Sequence, residues 1–385
     1  MTRKRAPSTI AATNGVAADQ AFASAAPPIY LSSTYAFKGF EAPRAYEYTR
    51  TSNPTRDLLS DTLAKLEGGA GATTLSSGMA AVDLTLATLG AGDLALAAHD
   101  CYSGVQRLLR ARAAKGQFRA AFVDFSDKAA LAAALDQRPK LVLLETPSNP
   151  LMRVVDVAAV CALAHERGAK VVVDNTFLSP ALQRPIELGA DFVVHSTTKF
   201  LNGHSDVVGG AVISASEADA QELKDWANIV GVTGSPFDAY LTLRGIRTLF
   251  PRIERQQRTA GALAQFLLGH ALVEKVHYPG LPGHATHEIA KRQQSGFGAM
   301  LSFEIAGGVP AVRRFVEATR VFTLAESLGG VESLVAHPAT MTHASMTPEQ
   351  RAEAGISESL LRLSVGLEDE GDLVADLEGA LAAAG

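Results

Sequence analysis

From Leu58 to about residue 250, short apolar runs alternate with segments whose apolar residues recur three and four apart. LVLLE from Leu141, VVVD from Val171 and DFVVHS from Asp191 are runs of Val, Leu and Phe that break into polar residues with Pro, Asn or Gly. Runs of that length and composition predict buried parallel strands. GATTL, DLALAA and FRAAFV predict further strands. The segments between read as helices: DLLSDTLAKLE closing on Gly68 and Gly69, GMAAVDLTLATLG, SGVQRLLRARAAKG, DKAALAAAL and DVAAVCALAHERGA. Repeated βαβ units predict an α/β fold, a mostly parallel sheet with helices on both faces.

Outside this stretch the pattern changes. Residues 1–57 look irregular, with Pro27, Pro28, Pro43 and Pro54 interleaved with Tyr30, Tyr35, Phe37, Phe40, Tyr46 and Tyr48. So much aromatic surface on an extended arm is costly to expose, so the arm is expected to pack on another surface, such as a neighbouring subunit. After residue 250 a long helix, RIERQQRTAGALAQFLLGH, precedes the strands GAMLSFEI and LLRLSVGL. The expected organisation is an arm over 1–57, a large α/β domain over 58–250 and a smaller α+β domain over 251–385. A chain of 385 residues exceeds the size at which one core stops growing, which supports two domains.

Composition narrows the function classes. A net charge of -5 argues against nucleic acid and anionic membranes as main partners. Cys101 and Cys161 form no disulfide framework and no zinc pattern, which fits a reducing, cytoplasmic setting. MTRKRAPST lacks a following apolar stretch, so no secretory signal is expected, and no run of 18 apolar residues predicts a membrane span. Neither a dinucleotide G-x-G-x-x-G after a strand, nor a P-loop, nor a G-x-S-x-G elbow occurs. His284 and His287 stand three apart in a Pro/Gly-rich stretch, read here as a solvated loop; no metal site is expected.

Candidate chemistry gathers past the strand ends, where open α/β sheets bind ligands. Lys199 follows Ser196, Thr197 and Thr198 in one such turn, and Asp174 ends the preceding strand. Each has an ordinary alternative, a solvated lysine and a turn-capping acid. Together they match what pyridoxal phosphate requires: an amine for a Schiff base and an acid for the ring nitrogen. Ser196 and Thr198 offer donors to a phosphate. Gly78 and Met79, in SSGMAA, open a helix after a strand, which makes either an anion site or a plain turn. Arg50 can reach the same phosphate, and Tyr102 can stack on a flat ring or fill a core. Arg362, within an apolar strand, calls for an anionic partner, either a structural acid or a substrate carboxylate.

PPIYLSSTY, YEYTRTSNPTR, SSGMAA, HDCYSG, ETPSNP, VVDNTFLSP, HSTTKFLNGHSDVVGG, AESLGGVESL, MTHASM and LLRLSVGLED span nearly the whole chain. Through them the sequence resembles the cystathionine γ-synthase/γ-lyase family of pyridoxal 5'-phosphate enzymes. The resemblance implies the fold type I transferase (aspartate-aminotransferase-like) architecture and a homotetramer, a dimer of dimers with shared active sites. It implies Lys199 as the Schiff-base lysine, Asp174 on the pyridine nitrogen, and Ser196, Thr198, Gly78 and Met79 around the phosphate. Tyr48 and Arg50 would reach that phosphate from the neighbouring subunit, and Tyr102 would stack on the ring. Asn149 and Thr176 would flank it. Arg362 would clamp the substrate carboxylate beside Ser327 and Asn149, and Glu326 would serve γ-directed chemistry. The catalytic set is then Lys199, Tyr102, Asp174 and Glu326, acting on small amino-acid substrates. The implied reaction joins O-succinylhomoserine (or the acetyl ester) to L-cysteine to give cystathionine, in transsulfuration. γ-Lysis of cystathionine and acylhomoserine sulfhydrylation are the alternatives, and a non-catalytic scaffold is disfavoured by Lys199 with Asp174. Leu328, where related β-lyases often carry Trp, argues against a β-lyase. Thr51 departs from the pattern, since a second arginine follows Arg50 in a related synthase; this bears on which acyl group is held.

Overall fold

The computed structural model describes residues 5–344 and 346–385. Seven strands form the first sheet: β1 Gly71–Leu75, β2 Leu94–Ala98, β3 Arg119–Val123, β4 Leu141–Glu145, β5 Lys170–Asp174, β6 Phe192–Ser196 and β7 Gly210–Ser214. Their order is β1-β7-β6-β5-β4-β2-β3. All run parallel except β7, which lies antiparallel to both neighbours. The chain between β6 and β7, residues 197–209, holds no helix that could carry a parallel crossover, so it turns back on itself. Strands β2, β4 and β7 are buried along their whole length, as their largely apolar sequences require. Helices such as Ser103–Ala114 and Val157–His165 cover the sheet and complete its core.

The helix Pro54–Glu67 shows how local chemistry sets an element's ends. Asn53 accepts from the Thr55 and Arg56 amides at its start, Pro54 fills the first turn, and Gly68 closes it at φ 78°. Against this helix lies one the sequence pattern did not indicate, Pro7–Thr13. It is short, only Ala11 of it is fully buried, and its capping Asn14 donates to Asp61 and Thr62. The rest of the N-terminal segment is extended, with Phe22 88% and Phe40 94% exposed.

A second sheet contains β8 Val273–His277, β9 Met300–Ile305, β10 Thr323–Leu324, β11 Leu334–Ala336 and β12 Leu360–Ser364, in the order β10-β11-β12-β9-β8. The helices Leu249–Leu268, Gly308–Ala318 and Glu370–Ala384 share its core. Ser302 on β9 donates to the Pro150 carbonyl at 2.7 Å, which ties this sheet to the loop after β4. The 284–287 loop packs instead of standing in solvent. His287 stacks on Phe297 and bonds the Pro279 carbonyl, and burial holds His284 down to about 4. Among the described residues no group of three His, Cys, Asp or Glu side chains is placed to hold a metal ion. Among the described residues no helix is long and apolar enough to cross a membrane.

Candidate active site

The C-terminal ends of β4, β5 and β6, the first turn of the helix Gly78–Leu86 and loops of the second sheet enclose a cavity of about 540 Å³. Lys199, Asp174, Ser196, Thr198, Thr176, Gly78, Met79, Tyr102, Asn149, Glu326, Ser327 and Arg362 all line it. Tyr48 and Arg50 do not. Arg50 instead donates to Asn228 Oδ1 at 2.8 Å on the outer surface, with Tyr48 beside it and half exposed.

Lys199 is held in the turn after β6, its amide on the Ser196 carbonyl. Its Nζ donates to Ser327 Oγ at 2.6 Å. Burial, and then the charge of Arg362, lower the Lys199 amine to about 8, so roughly a tenth of it is neutral at pH 7, far more than for an amine of ordinary basicity. Ser327 sits at φ 89°, an uncommon conformation for a side chain other than glycine, and its carbonyl accepts from Arg362 Nη2 at 2.8 Å. One strained serine thus joins the amine to the guanidinium.

Arg362 is 3% exposed. Nη1 donates to Asn149 Oδ1 at 2.9 Å, while Nε has no partner. No carboxylate pairs with it directly among the described residues; Glu326, on the same cavity, supplies the largest favourable charge effect. The anionic partner expected from the sequence is therefore not a structural acid in contact with it. A buried guanidinium with an unsatisfied N–H is suited to receive a carboxylate from a ligand.

Asp174 closes β5, and its Oδ1 accepts from the Thr176 amide at 2.9 Å. Loss of water raises its carboxyl, opposed by the Thr176 bonds and by the charge of His195. Thr176 Oγ1 in turn accepts from the Ser196 amide at 2.9 Å, so the ends of β5 and β6 are pinned together. At the other wall, Ser77 caps the helix that begins at Gly78. A Cβ on Gly78 would stand 2.7 Å from Ser196 Cβ, so only glycine allows this approach. First-turn amides of a helix lack intrahelical partners, and Gly78 and Met79 of this turn line the cavity together with Ser196 and Thr198. Tyr102 is 39% exposed, so it is no core tyrosine.

An amine of lowered basicity, a carboxylate at a strand end, and a helix N-terminus with two hydroxyls suit an aldehyde, a pyridine nitrogen and a phosphate. The residues present therefore fit pyridoxal phosphate. Sequence reasoning missed Glu145, which ends β4 as Asp174 ends β5 and would have been found by the same argument. It also missed Arg107, which lines the cavity one turn into the helix after Tyr102. Met341, Thr342 and Ala344 complete the wall from the MTHASM stretch.

Comparison with known proteins shows the family and the fold. Residues 8–382 match the family described as Cys/Met metabolism PLP-dependent enzyme. Cystathionine γ-synthase of Escherichia coli (strain K12) is 58% identical over 385 residues, 100% of this chain and 99% of that one. A crystal structure of cystathionine γ-synthase from Xanthomonas oryzae pv. oryzae in complex with cystathionine superposes with a TM-score of 0.98, at 55% identity and 99% coverage of both chains. A cystathionine β-lyase of Lactococcus lactis subsp. cremoris is 46% identical over 95% of this chain and 96% of its own.

Proposed function

We propose that this chain, which belongs to the Cys/Met metabolism PLP-dependent enzyme family, catalyses a γ-replacement that joins an O-acylhomoserine to L-cysteine and yields cystathionine. The observation that carries this is the likeness over the whole chain to cystathionine γ-synthase, on a cavity where Ser327 bonds both Lys199 and Arg362. In the net reaction the Cγ–O bond breaks and a Cγ–S bond forms. The acyl group leaves as its carboxylate, and the thiol proton is released.

The cofactor, when bound, acts as an electron sink for the deprotonated substrate. The chain's own groups do the remaining work. Asp174 would offer negative charge to the ring nitrogen; Gly78, Met79, Ser196 and Thr198 would hold the phosphate; Tyr102 and Thr176 would contact the ring. Arg362, with its free Nε–H, binds the substrate α-carboxylate and so fixes Cα near Lys199 Nζ. The lowered basicity of Lys199 lets that nitrogen take up and return a proton within the pH range of metabolism. Ser327 orients the amine by accepting its hydrogen bond. Glu326 balances Arg362 and Lys199 electrostatically, as its attraction to both indicates. Leu328, 6% exposed beside them, keeps this end of the cavity apolar.

Tyr48 and Arg50 complete a second subunit's cavity in a tetramer built as a dimer of dimers. That neither lines the cavity of its own chain supports this. Two buried free cysteines support a reducing compartment, the cytoplasm. The deciding experiment supplies O-succinyl- and O-acetyl-L-homoserine, each with L-cysteine, and separately cystathionine alone. Cystathionine is the expected product. Cleavage of cystathionine to 2-oxobutyrate at a higher kcat/KM than its synthesis would replace this reading with γ-lysis.

A further inference from the structure

Two carboxyl side chains, not one, project from the sheet into the cavity. Glu145 and Asp174 are register partners at the last position of the β4/β5 ladder, so their side chains leave the same face of neighbouring parallel strands. Both line the cavity. Like charges directly opposite each other on a sheet are destabilising, and each carboxyl is also drawn away from water. A second acid here needs a compensating use.

That use is visible in its hydrogen bonds. Glu145 Oε2 accepts from the Tyr102 amide at 2.7 Å, and Oε1 accepts from the Asn149 amide at 3.1 Å. Tyr102 begins the helix Ser103–Ala114 without any side-chain cap of its own. Asn149 lies in the loop after β4 and receives Arg362 Nη1 on its side-chain oxygen. One carboxylate therefore fastens two loops, one carrying the exposed aromatic ring and the other the acceptor that aims the guanidinium. The groups around it are Asp174 on β5, Asp100 ahead of Tyr102, and Arg362 on β12.

We propose that Glu145 is a positioning residue that sets Tyr102 and the Asn149–Arg362 pair together, so that ring stacking and substrate-carboxylate binding are coupled through its two oxygens. This rests on the function proposed above for Tyr102 and Arg362. Replacing the carboxylate by an amide keeps its size. It leaves one acceptor oxygen and turns an NH2 toward one of the two amide donors. Losing an acceptor at one of two buried donors weakens binding by roughly tenfold or more. Both loops are affected, so both ligands are affected.

The test compares wild type, Glu145→Gln and Glu145→Asp. The first readout is titration of each apoenzyme with pyridoxal phosphate, followed by visible absorbance and induced circular dichroism. The second is KM and kcat for O-succinyl-L-homoserine. Glu145→Gln is expected to raise the cofactor Kd and the ester KM each about tenfold, and to change the induced dichroism of the bound ring, with a smaller fall in kcat. Glu145→Asp keeps both oxygens at shorter reach and is expected to lie between; it carries the test if the amide variant does not fold. Unchanged dichroism and KM in a variant that merely melts earlier would overturn the positioning role. A wild type that binds no pyridoxal phosphate would instead overturn the functional reading itself, so the two failures are separable.

Discussion

At the scale of single residues, the site turns on how burial changes acid–base behaviour. A lysine amine in water is almost wholly protonated at neutral pH and cannot attack an aldehyde. Desolvation and Arg362 bring Lys199 to about 8. The rate at which apoenzyme captures pyridoxal phosphate is therefore expected to rise with pH up to about 8 and level off above it, read as growth of visible absorbance. A rate still climbing at pH 10 would mean an amine of ordinary basicity. The same shift has a sign for stability. The folded amine loses its proton near 8 and the unfolded one near 10.5, so the apo chain gains stability as pH rises between those values. Lys199→Ala is expected to bind the cofactor without a covalent link. It should also lose roughly a hundredfold to ten-thousandfold in turnover from proton transfer alone. Retention of full activity in that variant would rule out the lysine.

Among the elements, the loop over 337–344 shows how a segment beyond the strand ends closes the site. Met341, Thr342 and Ala344 line the cavity, and between them His343 is 2% exposed, its Nδ1 on Thr342 Oγ1 at 2.8 Å. Burial, and then Arg362, hold His343 down to about 4. The unfolded imidazole titrates near 6.5, so the unfolded state takes up more protons between pH 6.5 and 4, and stability falls as pH drops through that window. His284 carries the same sign. His343→Gln is expected to lose less stability between pH 7 and 5 than wild type, measured by denaturant midpoint. An equal loss would show that His343 is not kept neutral by the fold. Much of the architecture around this loop was legible beforehand. Strands β4, β5 and β6 are apolar runs that only a buried parallel sheet accommodates, so Asp174 and Lys199 fell at predictable ends. Strand β7, GAVIS, was hidden by the glycine- and serine-rich turn before it. Strands β10 and β11 are too short to leave a pattern. Glu145 ends β4 as Asp174 ends β5, so its place at the cavity was open to the same argument, but its hydrogen-bond partners were not. Its use appears only when Tyr102, distant in sequence, is folded against it. Arg362 was recognised as a buried cation, yet its neutral partners Asn149 and Ser327 come from loops no periodicity predicts.

For the whole molecule, the question is why residues 20–50 leave so much apolar surface in water. Phe22 and Phe40 are almost fully exposed, Leu31 is 69% exposed, and Ile229 and Val230 add 70% and 64% at the end of the helix Glu217–Val230. A lone chain rarely keeps such a patch. Arg50 sits between these regions, held by Asn228, and has no phosphate to meet within its own chain. If instead it meets the phosphate in a neighbour's cavity, cofactor binding and assembly are linked equilibria. Whatever binds only the assembled form also stabilises it, and dilution that separates subunits must release cofactor. Arg50→Ala is accordingly expected to assemble much as wild type at high concentration. On dilution it should lose pyridoxal phosphate at protein concentrations roughly tenfold or more above those at which wild type does, since one charge-assisted contact is removed. The measurement follows visible absorbance and light scattering together through a dilution series. Monomers that keep the cofactor as tightly as oligomers, or an Arg50→Ala curve that overlays wild type, would place Arg50 outside the site and leave the exposed arm without this explanation.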